Sequence, residues 1–156
     1  MDTRSLPTMR TGMLIRKPAQ AVFEAFAYPD VTRHFWFSAG SGRLEAGRTL
    51  EWRWDMYGIA AEVTVKALEP PHRIVIEWGD GNATTQVEWR FDARGDDATF
   101  VEISETGFDP DAGDVLAQIA GSAEGFALAL AGSKAWLEHG IELQLVRDRH
   151  PDGLGG

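Results

Sequence analysis

The sequence contains no cysteine among its 156 residues. That absence excludes disulfides, thiolate catalysis, cysteine-ligated zinc and cysteine-bound iron–sulfur clusters. Basic residues are also scarce, with 15 Lys and Arg against 24 Asp and Glu, which gives a formal net charge of -9. An acidic chain is repelled by phosphate backbones and by anionic lipid surfaces. We therefore expect neither nucleic acid nor a membrane as a partner.

Long apolar segments are missing as well. No run of about 18 apolar residues occurs, and residues 1–17 lack the continuous apolar segment of a signal peptide. We therefore expect a cytoplasmic protein. The composition, 44% hydrophobic and 25% charged, is typical of a folded globular chain. Its length suits one domain over residues 1–156, with an ordered core from about 10 to 148 and a flexible tail over 149–156.

The first part of the chain predicts one strand followed by two short helices. Gly12–Arg16 is an apolar run that suits a strand. Pro18–Ala27 predicts a helix, because proline suits the first turn and the apolar residues that follow share one helical face. Pro29 breaks this helix, and a second, shorter helical piece is predicted over residues 30–36.

From Ser41 to Thr106 the hydrophobic residues alternate, with turn signals between the alternating runs. The signals are Ala46-Gly47, Tyr57-Gly58, Pro70-Pro71, Gly79-Asp80-Gly81-Asn82 and Arg94-Gly95-Asp96-Asp97. They divide the region into six strands, which is typical of an antiparallel meander. Because side chains alternate along a strand, one face of this sheet is predicted to be buried. The clearest alternating set is Leu50, Trp52, Trp54 and Met56.

A long helix is predicted from about residue 110 to residue 139. Asp109 followed by Pro110 is a typical helix start, and Gly140 is a natural residue just beyond the end. An apolar stripe at helical spacing supports the helix. It runs through Leu116, Ile119, Ala120, Ala123, Phe126, Ala127, Leu130 and Leu137.

The residues after the long helix are too apolar for a free tail. Ile141, Leu143 and Leu145 alternate with polar residues. We expect residues 141–146 to be ordered and to add either to the fold or to a neighbouring chain of a homodimer.

The order of these elements predicts an α+β fold. The helices are segregated from an antiparallel sheet, and the long helix is the element with enough apolar surface to cover the sheet. A curved sheet of about seven strands wrapped round one helix leaves space between the two. That space is a candidate cavity.

Three stretches carry a family resemblance: Ile15–Phe26, Ile103–Phe108 and Lys134–Gly140. Together with the element order, they resemble the START-like, helix-grip superfamily, also called SRPBCC, over residues 10–148. The subgroup most similar is the one related to the activator of the 90-kilodalton heat-shock protein (Hsp90) ATPase, often labelled polyketide cyclase-like. The resemblance implies a ligand cavity and no particular reaction, because lipid carriers, hormone receptors, cyclases and co-chaperone domains share this scaffold.

Aromatic residues make the inner face a candidate site for a small hydrophobic or aromatic molecule. Four of the 6 tryptophans fall on that face, where an indole N–H needs a partner. A filled aromatic core and a partly hollow pocket both explain them. The candidate ligand-binding residues are Phe35, Trp36, Trp52, Trp54, Met56, Trp78, Trp89, Glu105, Phe126 and Leu130.

Glu105 is the candidate catalytic residue. Counting by twos from Val101 and Ile103 puts its carboxyl group on the apolar face. A buried carboxyl needs a hydrogen-bond or charge partner, or else it takes up a proton. The alternative is that the strand ends there and Glu105 reaches solvent. The resemblance places this position at the cavity end of the last strand.

No catalytic motif accompanies Glu105. The sequence has neither the G-x-S-x-G motif of a hydrolase nor a close pair of histidines, and we expect no metal and no cofactor. Ligand binding is therefore the leading hypothesis. One alternative is a cyclase-like enzyme that acts on polyketide-type substrates with Glu105 as acid–base. The other is an interaction protein that stimulates a chaperone ATPase.

Overall fold

A computed structural model describes residues 7–79 and 83–154, and within them an antiparallel sheet of seven strands forms the body of the fold. The strands are β1 (Met9–Ile15), β2 (Ala39–Gly40), β3 (Thr49–Trp54), β4 (Ile59–Glu69), β5 (Arg73–Gly79), β6 (Thr84–Ala93) and β7 (Thr99–Thr106). The helices are α1 (Ala19–Ala27), α2 (Pro29–Thr32), α3 (Val115–His139) and α4 (Leu145–Arg149). The predicted α+β class, with a curved sheet around a long C-terminal helix, is confirmed.

The strands β2 to β7 follow one another as a meander, and β1 joins the sheet beside β7. Every neighbouring pair is antiparallel. The register between β4 and β5 shifts at a bulge between Val65 and Ala67. A bulge of this kind bends a strand and increases its twist, which helps the sheet to curve around α3. The turn signal after Gly79 falls on residues 80–82, which lie outside the described residues.

The inner face of the sheet is buried as the alternation predicts. The buried side chains include Leu50, Trp52, Trp54, Val63, Val65, Ile74, Ile76, Val87, Trp89, Phe91, Val101 and Ile103. Ile59, which alternation with Ala61 and Val63 also assigns to the inner face, is 46% exposed at the start of β4. Ile59 lines a cavity beside the sheet.

The helical insertion after β1 is shorter than predicted. α1 ends at Ala27, before Pro29, but α2 covers Pro29–Thr32 and the residues that follow, predicted as helix up to 36, form a turn. Thr32 is buried, and its hydroxyl donates to the Tyr28 carbonyl at 3.0 Å. That bond and the one to the Ala25 carbonyl hold α2 against α1.

The predicted start of the long helix at residue 110 is wrong. Asp109 caps a separate 3₁₀ turn at Pro110–Ala112, and Asp114 caps α3. Gly113 between them has φ 141°, a backbone conformation that favours glycine and interrupts the helix. The predicted end is correct, since Gly140 has φ 65° and forms a left-handed cap.

The two halves of α3 have different surroundings. From Phe126 onward, the buried residues are Phe126, Ala129, Leu130, Gly132 and Ser133. In the N-terminal half, Leu116, which the apolar stripe places on the inner side, is 70% exposed. By length and by its mean hydropathy of 1.4, α3 also meets the criteria for a membrane-spanning helix, which core helices of soluble proteins meet as well.

Residues 141–144 connect α3 to α4 without regular structure, and Ile141 and Leu143 are about half exposed. α4 packs against α3. The homodimer and the flexibility of the tail over 149–156 stay predictions.

Candidate functional site

A cavity of about 670 Å³ lies between the inner face of the sheet and the N-terminal half of α3. The sheet contributes residues from β3, β4, β5 and β6, and α4 with the residues after it closes one side. Small-molecule sites in proteins typically enclose about 300–1,000 Å³. The cavity is therefore large enough for an organic ligand.

Glycines explain why α3 leaves this space open. Gly121 and Gly125 line the cavity, and a Cβ added to either would meet no atom within 4 Å. Gly132, further along the same helix, has the opposite role. A Cβ there would lie 3.0 Å from both the Cβ and the carbonyl oxygen of Phe35. Small residues thus bring one half of α3 close to the core and leave volume beside the other half.

Three tryptophans form a continuous aromatic wall of the cavity. Trp36 lies 5.7 Å from Trp54 and 5.9 Å from Trp78, measured between ring centroids. Trp54 and Trp78 are 6.2 Å apart. All three line the cavity, and the angles between their planes, 72°, 52° and 61°, present both edges and faces of the rings.

Glu105 faces inward, as the alternation predicts, and is only 4% exposed. The indole N–H of Trp78 donates to its Oε2 at 2.9 Å, the Thr85 hydroxyl donates to the same oxygen, and the Ser122 hydroxyl donates to Oε1 at 2.5 Å. Trp78 and Thr85 line the cavity, whereas Glu105 does not. The carboxyl group therefore lies behind the cavity wall, hydrogen-bonded to two of its lining residues.

The other predicted site residues divide into two groups. Phe35 and Met56 border a smaller cavity of about 210 Å³, together with Trp36. Trp52, Trp89, Phe126 and Leu130 are buried in the hydrophobic core behind the main cavity. Among the described residues, the indole nitrogens of Trp52 and Trp89 have no hydrogen-bond partner. A role for these residues in binding stays a prediction.

The C-terminal segment supplies a side of the cavity that the sequence did not reveal. The Tyr57 hydroxyl donates to the Val146 carbonyl, and Arg149 Nε lies 2.8 Å from Glu124 Oε1. The His150 ring meets the Tyr57 ring at 77°, with centroids 5.9 Å apart. Burial raises the pKa of the Tyr57 phenol above its ordinary value of 10.0, so this hydroxyl keeps its proton and remains a donor. No motif in the sequence marks these residues, because their contacts join distant parts of the chain.

Residues 7–79 and 83–154 contain no candidate metal-binding site. No group of at least three His, Asp or Glu side chains there could hold a metal ion. The arrangement instead offers aromatic surface, open volume beside glycines, and several polar groups in the cavity lining.

Residues 16–131 match the sequence profile of the Activator of Hsp90 ATPase homolog 1-like protein family. The chain belongs to this family. The match confirms the subgroup that the sequence resembles. No match was found among curated proteins.

Solved structures show the same fold. The protein SSP2350 from Staphylococcus saprophyticus is 29% identical, with 88% of this chain and 96% of that chain covered and a TM-score of 0.75. DynU16, a putative protein in the dynemicin biosynthetic locus, is 19% identical, with 86% and 48% covered and a TM-score of 0.75. The Aha1 dimer from Colwellia psychrerythraea is 18% identical, with 86% and 98% covered and a TM-score of 0.73. The two likenesses below 20% identity concern the fold alone.

Proposed function

We propose that this chain binds a small hydrophobic or aromatic molecule in the cavity between the sheet and α3. The observation that carries the proposal is the wall of Trp36, Trp54 and Trp78 along a cavity of about 670 Å³. Stacking against indole rings favours flat, apolar molecules. Gly121 and Gly125, which also line the cavity, leave room for the ligand.

Polar residues in the cavity lining can orient a ligand. Gln118, Thr84 and His150 line the cavity, so a ligand with an apolar body and one polar group would find hydrogen-bonding partners there. A mostly apolar lining with a few polar groups is the usual composition of a small-molecule site.

Binding is better supported than the cyclase-like alternative. A general acid or base must come within hydrogen-bond reach of its substrate. Glu105 already accepts hydrogen bonds on both carboxylate oxygens and lies behind Trp78 and Thr85. Stimulation of an Hsp90 ATPase, which the family description names, has no surface feature in its favour on the described part of the chain.

Native mass spectrometry of freshly purified protein tests whether a small molecule occupies the cavity. We expect an added mass that is lost on denaturation and that identifies the ligand. A titration with the neutral dye N-phenyl-1-naphthylamine tests the cavity itself, and we expect saturable quenching of tryptophan fluorescence. Absence of saturable binding would contradict the proposal.

The variant Trp54→Ala tests whether the dye binds in the cavity. We expect this change to weaken dye binding about tenfold, because it removes one indole of the aromatic wall. Trp136→Ala is the matched control, since Trp136 stacks on His34 at 4.0 Å and does not line the cavity. Circular dichroism checks that both variants fold. Equal affinities of the two variants for the dye would place the dye elsewhere.

A further inference from the structure

The charges around the cavity are unbalanced. Asp109, Glu124 and Arg149 line it, and Glu105 lies directly behind its wall. Arg149 forms an ion pair with Glu124 at 2.8 Å. Among the described residues, Glu105 and Asp109 have no ion-pair partner. Apart from Arg149, the lining residue that can carry a positive charge is His150. Two carboxylates and one guanidinium therefore line the cavity, and the Glu105 carboxyl group lies behind its wall.

Hydrogen-bond donors surround the Glu105 carboxyl group. An indole N–H can only donate a hydrogen bond, so the oxygen that faces Trp78 must accept. Hydroxyl groups of Thr85 and Ser122 complete the set of donors. All three donors are neutral, so none of them supplies a positive charge to balance a carboxylate. Burying a charge in this way is costly, and a cation nearby would offset the cost.

Trp78 transmits this charge to the cavity. Its N–H donates to Glu105, while its ring lines the cavity together with those of Trp36 and Trp54. The face of an indole ring attracts cations, and a hydrogen bond from its N–H to a carboxylate increases the negative charge on the ring. An aromatic wall backed by a carboxylate is thus suited to a positively charged group.

We propose that the molecule bound in this cavity is an apolar organic cation, with an aromatic or alkyl body and an amine or quaternary ammonium group. This inference rests on the proposed binding function and adds the charge of the ligand. The net charge of -9 on the chain would also attract a cation and repel an anion of the same shape.

A series of three ligands with one naphthalene body tests the inference. The compounds are a (naphthylmethyl)trimethylammonium salt, naphthalenemethanol and naphthaleneacetate, and isothermal titration calorimetry measures their affinities. We expect the ammonium compound to bind about tenfold more tightly than the alcohol. The acetate should bind most weakly. Affinity of the acetate equal to or above that of the ammonium compound would overturn the inference.

Glu105→Gln tests the source of the preference. The amide keeps the size of the side chain and removes its charge, so we expect about tenfold weaker binding of the ammonium compound and unchanged binding of the alcohol. Glu102→Gln is the matched control on the same strand. Because Glu102 lies on the outer face of β7, it should leave all three affinities unchanged. Equal effects of the two variants would contradict the assignment to Glu105.

A second variant covers the case in which Glu105→Gln fails to fold. Asp109→Asn removes a carboxylate that lines the cavity, and asparagine also caps a helical turn. We expect it to reduce the preference for the ammonium compound over the alcohol. If the alcohol binds and the ammonium compound binds no better, the cation inference fails while the binding function stands. If none of the three compounds binds, the binding function itself fails.

Discussion

At the scale of single residues, Glu138 joins the end of α3 to β1. Its Oε2 accepts hydrogen bonds from the Arg16 backbone N–H and from Lys134 Nζ, each at 2.7 Å. Lys134 Nζ also donates to the Leu14 carbonyl at 2.8 Å. The side chain of Glu138 is only 11% exposed. Lys134 and Glu138 belong to a stretch that carries the family resemblance, and their contacts attach the end of α3 to the end of β1.

This network predicts a pH-dependent contribution to stability. Burial raises the pKa of the Glu138 carboxyl, but the hydrogen bonds from Arg16 and Lys134 outweigh burial and lower the pKa below its ordinary value of 4.5. A lowered pKa stabilises the fold fully above the ordinary value, and that stabilisation is lost as the pH falls through the lower folded-state pKa. We expect Glu138→Gln to reduce the free energy of unfolding by about 1–2 kcal/mol at neutral pH.

Urea denaturation at neutral pH and at about pH 3 measures this effect. The difference between the wild type and Glu138→Gln should shrink at the lower pH, where the wild-type carboxyl takes up a proton. Glu51→Gln, at an exposed position on β3, is the control and should be nearly silent at both values. A difference that stays constant with pH would show that the charge of Glu138 does not carry the effect.

At the scale of elements, the N-terminal half of α3 forms the cavity wall through its glycines. Gly125 lies in a helix interior with open space beside it. We expect Gly125→Ala to raise the free energy of unfolding by about 0.5–1 kcal/mol, because alanine is the better helix former. We expect Gly125→Leu to fill part of the cavity and to weaken binding of N-phenyl-1-naphthylamine while the protein stays folded.

Ala117→Leu is the control for this element. Ala117 is exposed on the same helix and does not line the cavity, so a leucine there should leave dye affinity unchanged. Thermal melts report the stability of each variant, and fluorescence titration reports the affinity. Unchanged dye affinity in Gly125→Leu would mean that the dye does not occupy the space beside α3.

At the scale of the whole molecule, the C-terminal segment closes the cavity. Truncation after Gly140 removes the partner of the Tyr57 hydroxyl, the ion pair of Arg149 with Glu124, and the lining residues Val146, His150 and Leu154. We expect a lower melting temperature and weaker dye binding, because the cavity would open to solvent along one side. A truncated chain with the melting temperature and affinity of the full chain would contradict this role.

The same segment carries the test of the homodimer. Ile141 and Leu143 are about half exposed, and both lie between α3 and α4. If these residues join two copies of the chain, Ile141→Ser combined with Leu143→Ser should shift the elution volume from dimer to monomer. The cavity contacts of α4 are retained in this variant, so its dye affinity should remain that of the wild type. An unchanged elution volume would argue against an interface at these residues.

The sequence by itself determined the features that depend on neighbouring residues. Alternation of apolar and polar residues along a strand is a local pattern, and it correctly placed Trp54 and Glu105 on the inner face of the sheet. The end of α3 at Gly140 was also predictable, because a left-handed cap is a property of the glycine itself.

Only the tertiary structure decided where the sheet and α3 separate. Leu116 has the helical spacing of the apolar stripe but is exposed. Helical spacing predicts which residues share a face, but it does not predict how far that face lies from the sheet. The cavity side formed by Tyr57 and Val146 was invisible in the sequence, since the hydrogen bond between them joins positions 89 residues apart. Contacts of that range depend on how packed elements meet in space, and no local pattern encodes them.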